Sequence, residues 1–165
     1  MTKKSLSFVC CLTMFSCVFS VFVAFRPVTA MSPDNCETVR SSLKMLQKTD
    51  ARARVTLGAY YETILIKFIT PLNVRLVENS LSNAEFVENQ NDFVETRRVF
   101  SNDFIKYQKG LEELVGMNCK EEPDSFYNKL VVVRQKRKIM EQDVLRMREI
   151  IAQHVKLVNA LKGKL

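Results

Sequence analysis

Tryptophan is missing from this 165-residue chain, histidine occurs once, and glycine and proline are limited to four each. So few turn formers cannot supply the many tight connections of an all-β fold, and a small number of long elements is expected instead. No glycine-rich phosphate loop, GxSxG or HExxH pattern occurs, which removes the commonest sequence signatures of nucleotide, acyl-transfer and zinc-protease chemistry. Acidic residues are absent from positions 1–30 although 18 occur in the chain.

What those first residues do contain is Lys3 and Lys4, then an uncharged run from Leu6 to Phe25, then Arg26, Pro27 and Val28-Thr29-Ala30. A positive start, an apolar stretch and small residues at a cleavage site make a signal peptide, with the cut expected after Ala30. The competing expectation is an uncleaved anchor, since a helix rising ~1.5 Å per residue could cross a ~30 Å hydrocarbon core with such a run. Either way residues 31–165 are expected to be exported: secreted, periplasmic or held outside a membrane. Cys10, Cys11 and Cys17 fall in this segment and read as small apolar residues.

Residues 31–165 have the size of one domain. They hold 22 basic and 18 acidic residues, a net charge of +4. Two cysteines remain, Cys36 and Cys119, and in an oxidising compartment they are expected to form one disulfide. A metal site is the weaker reading, because two thiols and one distant histidine lack the paired spacing of zinc ligands.

The apolar pattern predicts an all-α fold: an elongated, up-down-up, coiled-coil-like bundle of three helices over about 37–78, 83–115 and 123–162. In the first helix Val39, Leu43, Leu46, Asp50, Ala53, Leu57, Tyr60 and Ile64 follow spacings of four and three, the period of a helix packed along a seam. Pro71 is expected to kink it, since proline lacks the N–H and crowds the preceding turn. Ser82-x-x-Glu85 reads as a capping box opening the second helix. Phe86, Phe93, Phe100, Tyr107 and Leu114 then recur every seven residues, with Phe104 and Leu111 beside them, and Gly116 reads as the glycine just past its end. Pro123 and Asp124 suit the first turn of the third helix. Its seam runs Phe126, Leu130, Val133, Arg137, Met140, Val144, Met147, Ile151, His154, Val158 and Leu161.

Three charged residues, Asp50, Arg97 and Arg137, interrupt these seams. Counted from the disulfide end, Asp50 and Arg137 lie at the same height, ~21 Å at the helical rise, and are predicted to pair across the bundle as a device that sets helix register. His154 stands near the opposite end, where Glu85 is the one acid that the pattern puts close to it. A histidine closing the core is favoured there over a general base, and no catalytic, cofactor-binding or metal-binding residue is assigned.

Charge is segregated along the chain. Residues 129–165 carry 10 basic and 3 acidic groups, whereas 31–128 carry 12 basic and 15 acidic. Arg134, Lys136, Lys138, Arg146, Arg148 and Lys156 are therefore the candidates for contact with an anionic surface such as lipid, cell-wall polymer or nucleic acid. The simpler account is a solvated helix face that answers the acidic second helix. After Tyr127 the third helix has no aromatic residue for base stacking.

Pro71-Leu72-Asn73-Val74-Arg75-Leu76, Gly116-Met117-Asn118-Cys119 and the segment from Phe126 to Arg137 resemble stretches in a group of small exported all-helical proteins from bacteria with reduced genomes. The resemblance implies a bacterial envelope or secreted setting and brings no functional residues with it. The expectation from the residues is a non-enzymatic module that meets a protein partner or a second copy of itself, with attachment to an anionic polymer or membrane as the alternative. Neither a cofactor nor a small-molecule substrate is expected.

Overall fold

Apolar residues at alternating spacings of three and four line one face of an α-helix, and in the computed structural model every regular element among the described residues is helical. The structure describes residues 36–81 and 84–163, all within one compact unit. The elements are α1 (Cys36–Ile64), a π-helical turn (Leu65–Ile69), α2 (Thr70–Glu78), α3 (Ala84–Gly116) and α4 (Pro123–Lys162). Since α1, the π turn and α2 are continuous, the unit has three helices, the first of them interrupted. The expected leader over 1–30 and the Ser82 half of the capping box lie outside the described residues.

Successive helices run antiparallel, as their cross-contacts show. Between the first helix and α3, Arg40 Nε donates to the Val115 carbonyl at 3.0 Å, Tyr61 meets Phe93 edge-on, and the Asn73 amide reaches the Phe86 carbonyl at 3.1 Å. Between α3 and α4, Asn89 lies against Ile150 and Gly110 against Val133. The middle helix therefore uses three rows. Phe86, Phe93, Phe100, Tyr107 and Leu114 form the central one, all buried. Asn89, Thr96 and Gly110 form a row of smaller residues toward α4, and Gln90, Arg97, Phe104 and Leu111 form the opposite flank, where Gln90, Arg97 and Phe104 meet the first helix. At Gly110 a Cβ would already touch Val133 Cγ2 at 3.4 Å, so the absence of a side chain lets α4 come close.

The first helix departs from its predicted seam in phase. Tyr61, 1% exposed, takes the core position expected for Tyr60, which is 45% exposed. Past it the π turn adds a residue, with the Thr70 N–H reaching back to the Leu65 carbonyl. Pro71 supplies the cause: it has no N–H for the Lys67 carbonyl, and its ring would strike that carbonyl in a regular turn. Widening to an i→i+5 turn removes the clash, so the chain bulges at 65–69 and re-enters an α-helix with Pro71 in its first turn. Similar single-residue shifts put Thr96 rather than Arg97, and Ile150 rather than Ile151, in the core.

The Tyr61 hydroxyl is buried without a hydrogen-bond partner among the described residues, and burial, then Tyr60, pushes its pKa up to about 12. Leaving such a group unsatisfied costs about 1–3 kcal/mol. Tyr61→Phe keeps the ring against Phe93 and is expected to raise unfolding free energy by about 1 kcal/mol in urea titration.

The helix ends follow local chemistry. After α2, Ser80 adopts a positive φ of 57°, and the Leu81 and Ser80 amides donate to the carbonyls of Leu76 and Val77 at 2.8 and 3.0 Å. This is the Schellman closure, which glycine fills most readily. Ser80→Gly is accordingly expected to stabilise by about 1 kcal/mol, read as a higher thermal midpoint. Gly116, expected just past the end of α3, is instead its last helical residue and has no positive φ. There the Met117 amide turns back to the Leu114 carbonyl at 3.2 Å, and the Lys120 amide donates to Asn118 Oδ1 at 3.2 Å. Those turns bring Cys119 to Cys36, with 5.9 Å between their Cα atoms in the disulfide.

Candidate functional site

The structure brings Asp50 and Arg137 together and adds a third residue. Arg137 donates from Nε to Asp50 Oδ2 at 2.9 Å and from a terminal nitrogen to Oδ1 at 3.3 Å, while the Tyr107 hydroxyl donates to Oδ2 at 2.7 Å. One residue from each helix thus meets at one level. Asp50 is 5% exposed, so its charge is tolerated only because donors surround it. Burial disfavours the charged Arg137 side chain, yet the hydrogen bond and charge of Asp50 outweigh this and hold its pKa above the ordinary value. Burial first, then the Asp50 hydrogen bond, pushes the Tyr107 phenol up, keeping its proton in place. The cluster thus ties one side chain of each of the three helices to a single carboxylate. Tyr107 was legible as a core aromatic; its height, one heptad below Leu114, is the signal for its second role.

His154 is buried at the other end of α4, where its hydrogen-bond partner is Asn89. Asn89 Nδ2 donates to the Ile150 carbonyl at 3.0 Å, which turns the amide oxygen toward His154 Nδ1, also at 3.0 Å. An amide oxygen only accepts, so the ring proton is on Nδ1. The Phe86 ring stands edge-on to the imidazole at 5.7 Å. Burial lowers the His154 pKa from 6.5. Because the folded value is the lower one, this residue's contribution to stability is complete above pH ~6.5 and is lost as pH falls toward the folded pKa. Stability measured at pH 7 and pH 5 should therefore decline more in the natural chain than in His154→Gln.

The six cationic candidates on α4 do not form one face. Lys136 leans toward α3, its Nζ 3.3 Å from the Lys106 carbonyl. Arg134 and Arg148 flank the seam, and Arg148 lies close enough to Tyr61 to act on its charge. Lys138, Arg146 and Lys156 occupy the outer positions of the heptad, are exposed, and have no salt bridge among the described residues. Neighbouring Lys129 pairs with Glu113 of α3. Arg97, expected in a seam, pairs with Glu62 at the half-exposed edge between α1 and α3.

One more acid stands out. Asp143 of α4 has an oxygen with no hydrogen-bond partner among the described residues, and burial, then the Asp103 carboxylate, raises its pKa. No three His, Cys, Asp or Glu side chains gather as metal ligands among the described residues, and no helix there is long and apolar enough to cross a membrane. Comparison with protein-family models, curated proteins and solved structures gave no match, so any functional reading rests on the chain's own residues.

Proposed function

We propose that the chain is an exported, non-enzymatic helical bundle that acts by binding a protein partner or a second copy of itself in the cell envelope or at the cell surface, after loss or retention of its apolar leader. The observation that carries this reading is an apolar row left uncovered on the first helix. Ile66, Phe68, Val74 and Val77 are 50–61% exposed around and beyond the π turn. Ile66, Val74 and Val77 fall on a single row of helical turns that runs beside the buried Ile69, Asn73 and Leu76. Exposed apolar residues scattered singly are ordinary, but a row of them rimmed by polar residues marks a contact surface. Export is supported by the Cys36–Cys119 pairing, which an oxidising compartment maintains.

The test is a photo-reactive residue at Val77 in the full chain expressed in cells. A discrete adduct, to one partner or to a second copy, should persist at 0.5 M salt and vanish in the Ile66→Asp/Phe68→Asp variant. No adduct, or one indifferent to that variant, contradicts the reading.

Lys138, Arg146 and Lys156 on the outer side of α4 favour a second reading, attachment to an anionic surface. Such binding would collapse between low and moderate salt, because exposed charges are screened over ~8–10 Å at those ionic strengths.

A further inference from the structure

A cleft of about 480 Å³ opens between α1 and α3, on the flank of α3 that faces away from α4. Its size falls in the range of small-molecule sites. Two features set it apart from an ordinary gap between helices. The first is Gly58, in the interior of α1, where glycine is less favourable than any residue but proline. A Cβ built there meets nothing within 4 Å, so close packing does not account for the glycine; its effect is to leave the cleft open.

The second feature is charge. Arg54, Arg97 and Arg98 all line the cleft. Arg97 is neutralised by Glu62, and Arg98 by a two-pronged contact with Glu95 at 2.8 and 2.5 Å. Arg54 has no carboxylate among the described residues. Its guanidinium is held 5.1 Å from the centre of the Phe104 ring, a cation–π contact that fixes its position without neutralising it. Three guanidinium groups and two carboxylates leave a single positive charge, beside walls formed by Val55 and Phe100.

We propose that this cleft is a binding site for a small monocarboxylate with an apolar body, the carboxylate meeting Arg54 and the body lying over Gly58 between Val55 and Phe100. The fork of a guanidinium matches a carboxylate in geometry, and one uncompensated cation calls for a monoanion rather than a phosphate dianion. The site is separate from the apolar row of the first helix and does not depend on it.

The test is equilibrium dialysis of the full chain against radiolabelled 4-phenylbutyrate, with 4-phenylbutan-1-ol as its neutral counterpart and phenyl phosphate as the dianion. The acid should bind one per chain, and the alcohol about tenfold more weakly or worse. Arg54→Gln should bring the acid to the level of the alcohol, a loss of about tenfold. Gly58→Leu, which fills the cleft, should abolish binding of both while circular dichroism shows unchanged helix content. Arg54→Gln and Gly58→Leu are independent, so misfolding of one leaves the other to decide. Equal binding of acid and alcohol, tighter binding of phenyl phosphate, unchanged binding in folded Gly58→Leu, or no binding of the acid at millimolar concentration overturns the proposal.

Discussion

Replacing both disulfide cysteines by alanine should lower the unfolding free energy by about 4 kcal/mol, the largest single effect expected in this chain. The bridge spans 83 residues of sequence, and closing a loop of that length removes about 4–5 kcal/mol worth of chain entropy from the unfolded state in the loop-closure model. The consequence should be uneven across the molecule. In the first half of α1 the core side chains are Cys36, Leu43 and Asp50, whereas α3 contributes a buried residue at nearly every turn. Without the bridge, the Arg40 contact to Val115 and the Asp50 cluster are what hold that half in place. Amide exchange in Cys36→Ala/Cys119→Ala should therefore accelerate first over residues 36–50, while the α3–α4 pair keeps its protection. Urea titration supplies the global figure, and a loss below about 1 kcal/mol would mean that the unfolded chain is already compact.

Asp50→Leu ranks second. It strips a half-buried Arg137 and the Tyr107 hydroxyl of the acceptor they share, and removing one member of a buried pair costs about 3–5 kcal/mol. Arg137 retains some solvent contact, its side chain being 19% exposed, which puts the expectation near the lower end, about 3 kcal/mol. Tyr107→Phe alone should cost about 1.5–3 kcal/mol, the range for a hydrogen bond to a charged group. The informative variant is Asp50→Leu/Arg137→Met/Tyr107→Phe. An all-apolar replacement should recover most of the lost stability, because the ionic cluster contributes little net energy once desolvation is counted. If the cluster's role is register, that triple variant should remain stable yet show a second set of amide resonances from a shifted alignment. A single sharp set would assign the cluster no such role.

How much of this was legible beforehand depended on how local the determining physics is. The bounds of α4 could be read directly, since Pro123 and Asp124 mark its start and one unbroken heptad pattern runs to its end. The row from Phe86 to Leu114 was equally plain. Asp50 and Arg137 could be matched because the disulfide supplied a common origin from which both heights are counted. Tyr61 could not, because a period carried forward from Leu43 gains a fraction of a residue per heptad. The π turn imposed by Pro71 adds a whole one, and sequence spacing alone does not say whether a proline kinks or bulges a helix. Asn89 was hidden for a different reason. Its side chain is polar, and only the close approach of α4 reveals that it joins His154 to the Ile150 carbonyl. The cleft at Gly58 depends on the separation of two helices, a quantity that no single helix encodes.

The measurement that bears most directly on the whole account is peptide mapping by mass spectrometry of the protein recovered from cells under non-reducing conditions, with free thiols alkylated at lysis. The account predicts that the peptide containing Cys36 is joined to the one containing Cys119, with no alkylation of either. Both thiols alkylated would contradict the exported setting, and either joined to a different cysteine would contradict the closure of α1 onto the α3–α4 connection.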